Sequence, residues 1–386
     1  MSAFRAVLTI PGSPRLFASA LLGRLPQGMS PLAILLLVRG STHSYAAAGA
    51  AIGAYALASA AAAPVQGRLV DKFGRLRVLA PSAIVQGVLL TALVLVARAN
   101  PPAGLLVLMA GAAGTLLPPI AASVRALLGE VVADPTVRET AYALESVAQE
   151  TIWITGPLLV ALIITATSPS GAVLALGAVC VCGTLLFVRA PLARDRAAPV
   201  HDGERVAALA NPRLRALLAP VALTGMGLGA IEVGLPSLAL HAGSRWTSGL
   251  LLALWSAGSM AGGLWYGSRQ WRSSIVRRYR ALLVIAVACS APLIVARSVP
   301  AGIVCSLLAG ITIAPMFSCQ YALVGRAAMP GSETEAFTWV TAALVGGLSA
   351  GSAAAGAVIG AGGVGAPFAL GCAATALAAL LALGDV

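Results

Sequence analysis

Apolar stretches of about twenty residues, the length that crosses roughly 30 Å of hydrocarbon as a helix, recur in this chain from Leu16 almost to its end. A soluble fold cannot absorb so many, because most of its helices must keep one polar face for water. Only 10% of the 386 residues are charged, where soluble domains carry about 25%. The expectation is an all-α integral membrane protein. Counting the runs gives twelve transmembrane helices: 16–38, 45–66, 77–97, 103–126, 140–165, 171–189, 214–240, 247–268, 279–297, 301–324, 335–360 and 364–383.

The formal net charge of +12 invites a nucleic-acid reading, but the 25 basic residues sit in short clusters between apolar runs. That is how topology signals are distributed, so nucleic acid is excluded as a partner and the lipid bilayer takes its place. With both termini inside, the inner segments hold twenty basic residues and the outer segments four (Arg39, Arg98, Arg245, Arg297), with Arg24 inside the first span. This bias places both termini in the cytoplasm. The first apolar run has an arginine within it and no clear cleavage site, so it reads as a retained helix. All six cysteines fall inside apolar runs, and Cys180-x-Cys182 reads as small packing residues, so no metal site or disulfide is expected. Trp246 and Trp271 fall at span ends, where they read as interfacial anchors.

The longest polar connection divides the chain into 1–189, a six-helix bundle, a cytoplasmic linker over 190–213 with a short surface helix near Glu204 to Leu209, and 214–386, a second bundle. The halves repeat at an offset of about 196. Gly114-Thr-Leu-Leu-Pro-Pro119 matches Gly310-Ile-Thr-Ile-Ala-Pro315, Gly67 falls on Gly263, and Thr140-Ala-Tyr142 resembles Glu335-Ala-Phe337. Six spans per half make equivalent helices parallel, related by an axis along the membrane normal.

This six-plus-six arrangement, with Gly67-Arg-Leu-Val-Asp71-Lys-Phe-Gly74-Arg75 after the second span, closely resembles the major facilitator superfamily (MFS), whose signature there is G-x-L-x-D-x-x-G-R. The resemblance implies the MFS fold of two pseudo-symmetric bundles, a substrate site between them and alternating access. At the symmetric loop Gly267 stands where Asp71 does, a degenerate second copy. The resemblance also implies that Asp71 forms a clasp when the inner gate is closed, with the start of the eleventh span near Thr334 or with Arg125 as partner. The fifth span is similar to the family's exporter signature in Gly156-Pro157 only, since Leu158-Leu159-Val160-Ala161 follows.

Ionisable side chains inside a span are costly and ask for a reason. Arg24, Glu145, Glu150 and Glu232 are such residues, and none lies in the third, sixth, ninth or twelfth span. Arg24 and Glu150 come out at similar depth and are expected to pair across the cavity, open to competition by a proton or an anionic group; Glu145 is expected nearer the solvated boundary. The three histidines (His43, His201, His241) all lie in loops, so any coupling proton rides on a glutamate. Trp153, Trp255, Phe317, Gln320, Tyr321 and Trp339 are candidate cavity-lining residues, with indole N–H groups as donors.

The function expected is secondary active transport of a small, amphipathic organic molecule across a bacterial inner membrane, by proton-coupled efflux. Uptake by symport or uniport is the alternative, with a non-transporting sensor or scaffold behind it. No histidine lies in a span and no nucleotide-binding loop is present, so neither an enzyme nor a cofactor is expected beyond the proton gradient. The chain is expected to act as a monomer.

Overall fold

The computed structural model describes residues 2–99, 101–193, 207–241 and 247–385. Sixteen α-helices follow in order among them: α1 Ser2–Leu8, α2 Ser13–Thr42, α3 Tyr45–Phe73, α4 Arg75–Ala97, α5 Ala103–Thr115, α6 Ile120–Val131, α7 Pro135–Ala166, α8 Pro169–Arg189, α9 Pro212–His241, α10 Thr247–Gly267, α11 Ile275–Ser290, α12 Pro292–Val295, α13 Val299–Gly310, α14 Ile313–Ala327, α15 Glu333–Gly362 and α16 Ala366–Asp385. All twelve expected spans are helical. Among the described residues ten helical segments are long and apolar enough to cross a membrane, and α10 and α16 fill the eighth and twelfth places.

The helices outrun the apolar runs that announced them. The span expected over 45–66 continues to Phe73, and that over 140–165 begins at Pro135. Hydropathy falls where the charges begin, whereas a helix continues until something caps it. Asp134 caps α7 by accepting from the Thr136 and Val137 N–H groups, with Pro135 at the first helical position. The bonds from Val137 and Thr136 hold the Asp134 carboxyl below the usual carboxylate range. Gly74 ends α3 at φ 89°, a left-handed conformation that favours glycine.

Three spans are interrupted. Pro118 and Pro119 lie in the break between α5 and α6, and the matching segment of the repeat is where α13 gives way to α14. The repeated sequence is therefore a repeated break in the two halves. Pro292 splits the ninth span into α11 and α12. Helix α1 lies outside every apolar run and was not expected; its Val7 is fully buried and Phe4 lies against Gly267 of α10.

In the first half α2 packs on α7 and α8, α3 on α5, and α4 on α8; in the second, α9 packs on α15 and α16, α10 on α13, and α11 on α16. Across the halves the contacts are α3 with α15, α7 with α10 and α14, and α6 with α15. Tyr142 and Phe337, equivalent in the repeat, face each other with ring centroids 6.3 Å apart, as residues near a two-fold axis must. The linker over 190–213 falls largely outside the described residues, as do His201, Arg245, Trp246 and the first part of the expected surface helix. Its described part holds a single 3-10 turn at Ala208–Ala210. Trp271 is partly buried: it stacks on Tyr266 at 5.0 Å and donates to the Tyr266 carbonyl.

Candidate functional site

The end of the molecule that carries the arginine-rich loops, the basic end, holds a set of ties between the halves. Asp71 lies in the last turn of α3, and its carboxylate accepts from the N–H groups of Thr334 (3.1 Å) and Glu335 (2.8 Å). These belong to the first turn of α15, which lacks a side-chain cap of its own at Ser332. First-turn N–H groups have no partner within their helix and sit at its positive dipole end, so Asp71 supplies the cap from another helix. Close approach is needed, and Gly67 allows it: a Cβ there would stand 3.0 Å from Glu335 Cα. Arg68 adds an ion pair to Glu335 at 2.7 Å, but its side chain is 60% exposed, so the pair is worth at most about 1 kcal/mol. Arg75 pairs with Glu130 of α6, fastening the loop to its own half.

A second tie has its polarity reversed. Glu139 of α7 binds Arg278 of α11 at 2.7 Å and Arg326 of α14 at 3.3 Å. Gly267, the counterpart of Asp71, is packed against Ala143 and Phe4, where an added Cβ would lie 2.7 Å from each. No acid fits there. The acid sits instead on the facing helix, and the cations come from the half that lost it. Sequence reasoning passed over Glu139, Arg278, Arg326 and Glu335, because charges near helix ends read equally well as topology signals.

Deeper in lies a buried charge group that joins α2, α6 and α7. Arg24 Nη1 binds Glu145 Oε2 at 2.7 Å, and Arg125 Nε binds Glu145 Oε1 at 3.2 Å. Gln149 Oε1 accepts from both arginines. The Arg125 guanidinium also lies 3.9 Å from the centre of the Tyr321 ring and reaches Thr341 of α15. This corrects three expectations. Arg24 pairs with Glu145 and not with Glu150; Glu145 is fully buried and not at a solvated boundary; and Arg125 belongs to this group, not to the Asp71 clasp. Glu145, Gln149, Ile152 and Gly156 recur at helical spacing on the side of α7 that packs against α2. Glu150 is turned about 100° from Gln149, so depth matched Arg24 but direction did not.

Glu150 faces α10 instead. It is the sixteenth of 32 residues in α7, hence at the helix midpoint, and 6% exposed. The Ser259 hydroxyl stands opposite it without forming a hydrogen bond of normal geometry. Among the described residues Glu150 has no basic side chain within ion-pair distance. Trp153 shares the side of α7 that at Tyr142 meets Tyr321, and it is 49% exposed. Trp255, one turn from Ser259, has a buried indole N–H without a partner. Glu232 is exposed on α9, on the side away from Gly227 and Gly234, which pack against α16.

The remaining candidates have other partners. Gln320 is buried and donates to Tyr279 of α11 at 3.1 Å, which takes it away from the space between the halves. Phe317 stacks on Tyr321 at 6.2 Å. Trp339 donates to Glu335 and so belongs to the clasp. Gly156, followed by Pro157, meets Gly28 of α2 backbone to backbone. Among the described residues no group of three or more His, Cys, Asp or Glu side chains gathers as metal ligands would.

The ties joining the halves, at Asp71, Arg68, Glu139, Tyr142 and Arg125, all fall between Glu150 and the basic end. Glu150 lies beyond these ties, at mid-depth, with no basic side chain in ion-pair reach among the described residues. The human organic anion transporter MFSD10 (TETRAN) superposes with a TM-score of 0.73 at 18% identity, over 96% of this chain and 99% of that one. A bacterial homologue of the iron transporter ferroportin, in its outward-facing state, gives 0.75 at 13% identity over 96% and 98%. The E. coli fucose:proton symporter FucP gives 0.68 at 14% over 98% and 99%. No curated protein matches the chain by sequence. The family model described as Major Facilitator Superfamily matches residues 16–299, and with the twelve-span fold and its clasp this settles that the chain belongs to the major facilitator superfamily.

Proposed function

We propose that this MFS transporter exports a small amphipathic organic molecule in exchange for protons, and that the structure is its outward-facing state. The basic end is the cytoplasmic one by the positive-inside bias, with both termini cytoplasmic and the chain a monomer in a bacterial inner membrane. One observation carries the reading: the ties between the halves lie on the basic side of Glu150, a buried carboxylate without an ionic partner at the midpoint of α7. Alternating access requires a mid-depth site that one set of ties separates from one face at a time. A carboxylate there can respond to protons from either face.

Two measurements bear on it. Thermal-shift screening of drugs, metabolites and sugars, followed by counterflow of the hits in proteoliposomes, is expected to find a transported compound. Binding without flux for every hit would mean a sensor. Glu150→Gln is expected to abolish the dependence of that flux on a pH gradient while leaving exchange at equal pH; an unchanged dependence rules Glu150 out as the proton carrier.

The Asp71 cap stabilises the outward-facing state in this scheme. Asp71→Asn keeps one acceptor but removes the charge at the α15 dipole end, a loss of about 1 kcal/mol or roughly fivefold in the closed-to-open ratio at the basic end. Faster alkylation of a cysteine placed at Ala143, in the seam, reads this out. Equal labelling and equal flux in the variant would leave Asp71 with no part in gating.

A further inference from the structure

Between the halves, at the basic end, the ties leave a cavity of about 250 Å³. Arg138, Glu139 and Tyr142 of α7 line one wall, and Gly325 and Arg326 of α14 line the other. A water takes about 30 Å³ of liquid, so the space suits a small solute with part of its hydration shell. We propose that this cavity binds a small free oxyanion of the phosphate class between Arg138 and Arg326, and that the bound anion holds the basic end closed.

Both arginines have donors to give. Arg138 Nη2 donates to the Ala133 carbonyl at 3.1 Å, at the start of its own helix, while its Nε is buried and has no partner. A buried N–H group is normally satisfied, and an anion in the cavity that this side chain lines supplies the acceptor. Arg326, on the opposite wall, is 55% exposed and meets Glu139 at 3.3 Å, whereas Arg278 holds the same carboxylate at 2.7 Å. Arg326 is thus the looser of two cations on one acid. It can turn to a second anion while Arg278 keeps Glu139 neutralised. A tetrahedral phosphate points oxygens in several directions and can accept from guanidiniums on two walls at once.

Charge sets the sign of the ligand. Arg138, Arg278 and Arg326 stand against Glu139 and the nearby Asp134, so three cations and two carboxylates leave one positive charge. Asp134 already takes the Thr136 and Val137 N–H groups, so those donors are spent and the binding groups are side chains. Position sets its source. Tyr142 is 1% exposed and lies against Phe337 of the other half, near the two-fold axis. The cavity is therefore central in the basic end and not on its lipid-facing rim, which favours a free anion over a lipid headgroup.

The consequence for gating follows from where the two arginines are carried. Arg138 belongs to the first half and Arg326 to the second, so opening the basic end draws them apart. Without an anion, two like charges line one cavity from opposite halves and favour that parting. An anion that touches both binds the closed form, and at ten times its dissociation constant it raises the closed-to-open ratio about elevenfold. The site does not depend on the direction of transport.

The test uses the full-length protein in nanodiscs of phosphatidylcholine alone, titrated with inorganic phosphate against chloride at equal ionic strength. Phosphate is expected to raise the thermal midpoint saturably, followed by tryptophan emission, and to slow alkylation of Ala143→Cys about tenfold near saturation. Arg138→Gln changes a side chain whose hydrogen bond lies within its own half, and it is expected to remove both responses. Gly325→Ala leaves every charge in place but sets a Cβ 2.7 Å from the Tyr142 hydroxyl, at the cavity wall, and is expected to weaken both responses several-fold. Equal responses to phosphate and chloride would mean screening alone and overturn the site. So would a phosphate response that survives both Arg138→Gln and Arg326→Gln. Nanodiscs containing phosphatidylglycerol separate the sources: slow labelling there without phosphate, lost in Arg138→Gln, would give the site to a lipid headgroup and overturn the free anion. None of these readouts uses flux, so the site can fail while the transporter stands, and the reverse.

Discussion

Glu145→Ala should be among the most damaging single substitutions in the chain, lowering stability by about 3–5 kcal/mol, the range for removing one partner of a buried ion pair. The reason lies in the count of charges. Arg24 and Arg125 are 1% and 5% exposed and each takes one oxygen of Glu145. Without it two guanidiniums share one amide oxygen, Gln149 Oε1, and repel each other in a medium that screens poorly. Glu145→Gln preserves the shape and is expected to lose nearly as much. Adding Arg24→Gln to Glu145→Gln removes one unbalanced cation, so the double variant should be more stable than the sum of the two singles predicts. Thermal unfolding in detergent, followed by tryptophan emission and by monodispersity on gel filtration, measures all of these. A Glu145→Ala midpoint within about a degree of the parent would show that the group contributes nothing to holding α2, α6 and α7 together.

The second large effect is steric. Gly156 of α7 faces Gly28 of α2 so closely that a Cβ on Gly156 would stand 2.6 Å from Gly28 Cα. The obstacle is backbone, which cannot rotate away as a side chain can. Gly156→Val therefore has to push the two helices apart, at about 3 kcal/mol, the upper part of the range for overpacking. The cost spreads further, because Arg24 lies one turn from Gly28 and its bond to Glu145 spans the same interface. Gly156→Ala should fall between the parent and Gly156→Val in thermal midpoint and in yield of monodisperse protein. Equal midpoints for all three would mean that α2 and α7 separate at no cost.

These two sites show how legibility varied within one chain. Gly67, Asp71, Gly74 and Arg75 could be read as a unit because a turn between two helices holds them at fixed sequence spacing. The far side of the clasp was legible only as an address, the start of the eleventh span. Glu335 and the reversed tie at Glu139 were invisible, since each is one charge near a helix end among many. Arg24, Glu145 and Glu150 stood out as costly charges in apolar runs, yet their pairing was misassigned. Depth along a span follows from counting residues at 1.5 Å each, but which neighbour a side chain faces depends on how two helices are rotated about their own axes. Gln320 failed for the same reason: it was expected to line the cavity but donates to Tyr279 of α11.

By itself the sequence determined that the chain crosses the membrane twelve times in two repeated halves and which residues pay to be charged there, because hydrophobic run length, basic-loop bias and a constant offset are properties of the chain read in one dimension. The tertiary structure alone decided that Glu145 satisfies two arginines and that Glu150, five residues on, has none among the described residues, because five residues along an α-helix is a turn and a further 140° or so of rotation, enough to exchange α2 for α10 as the neighbour.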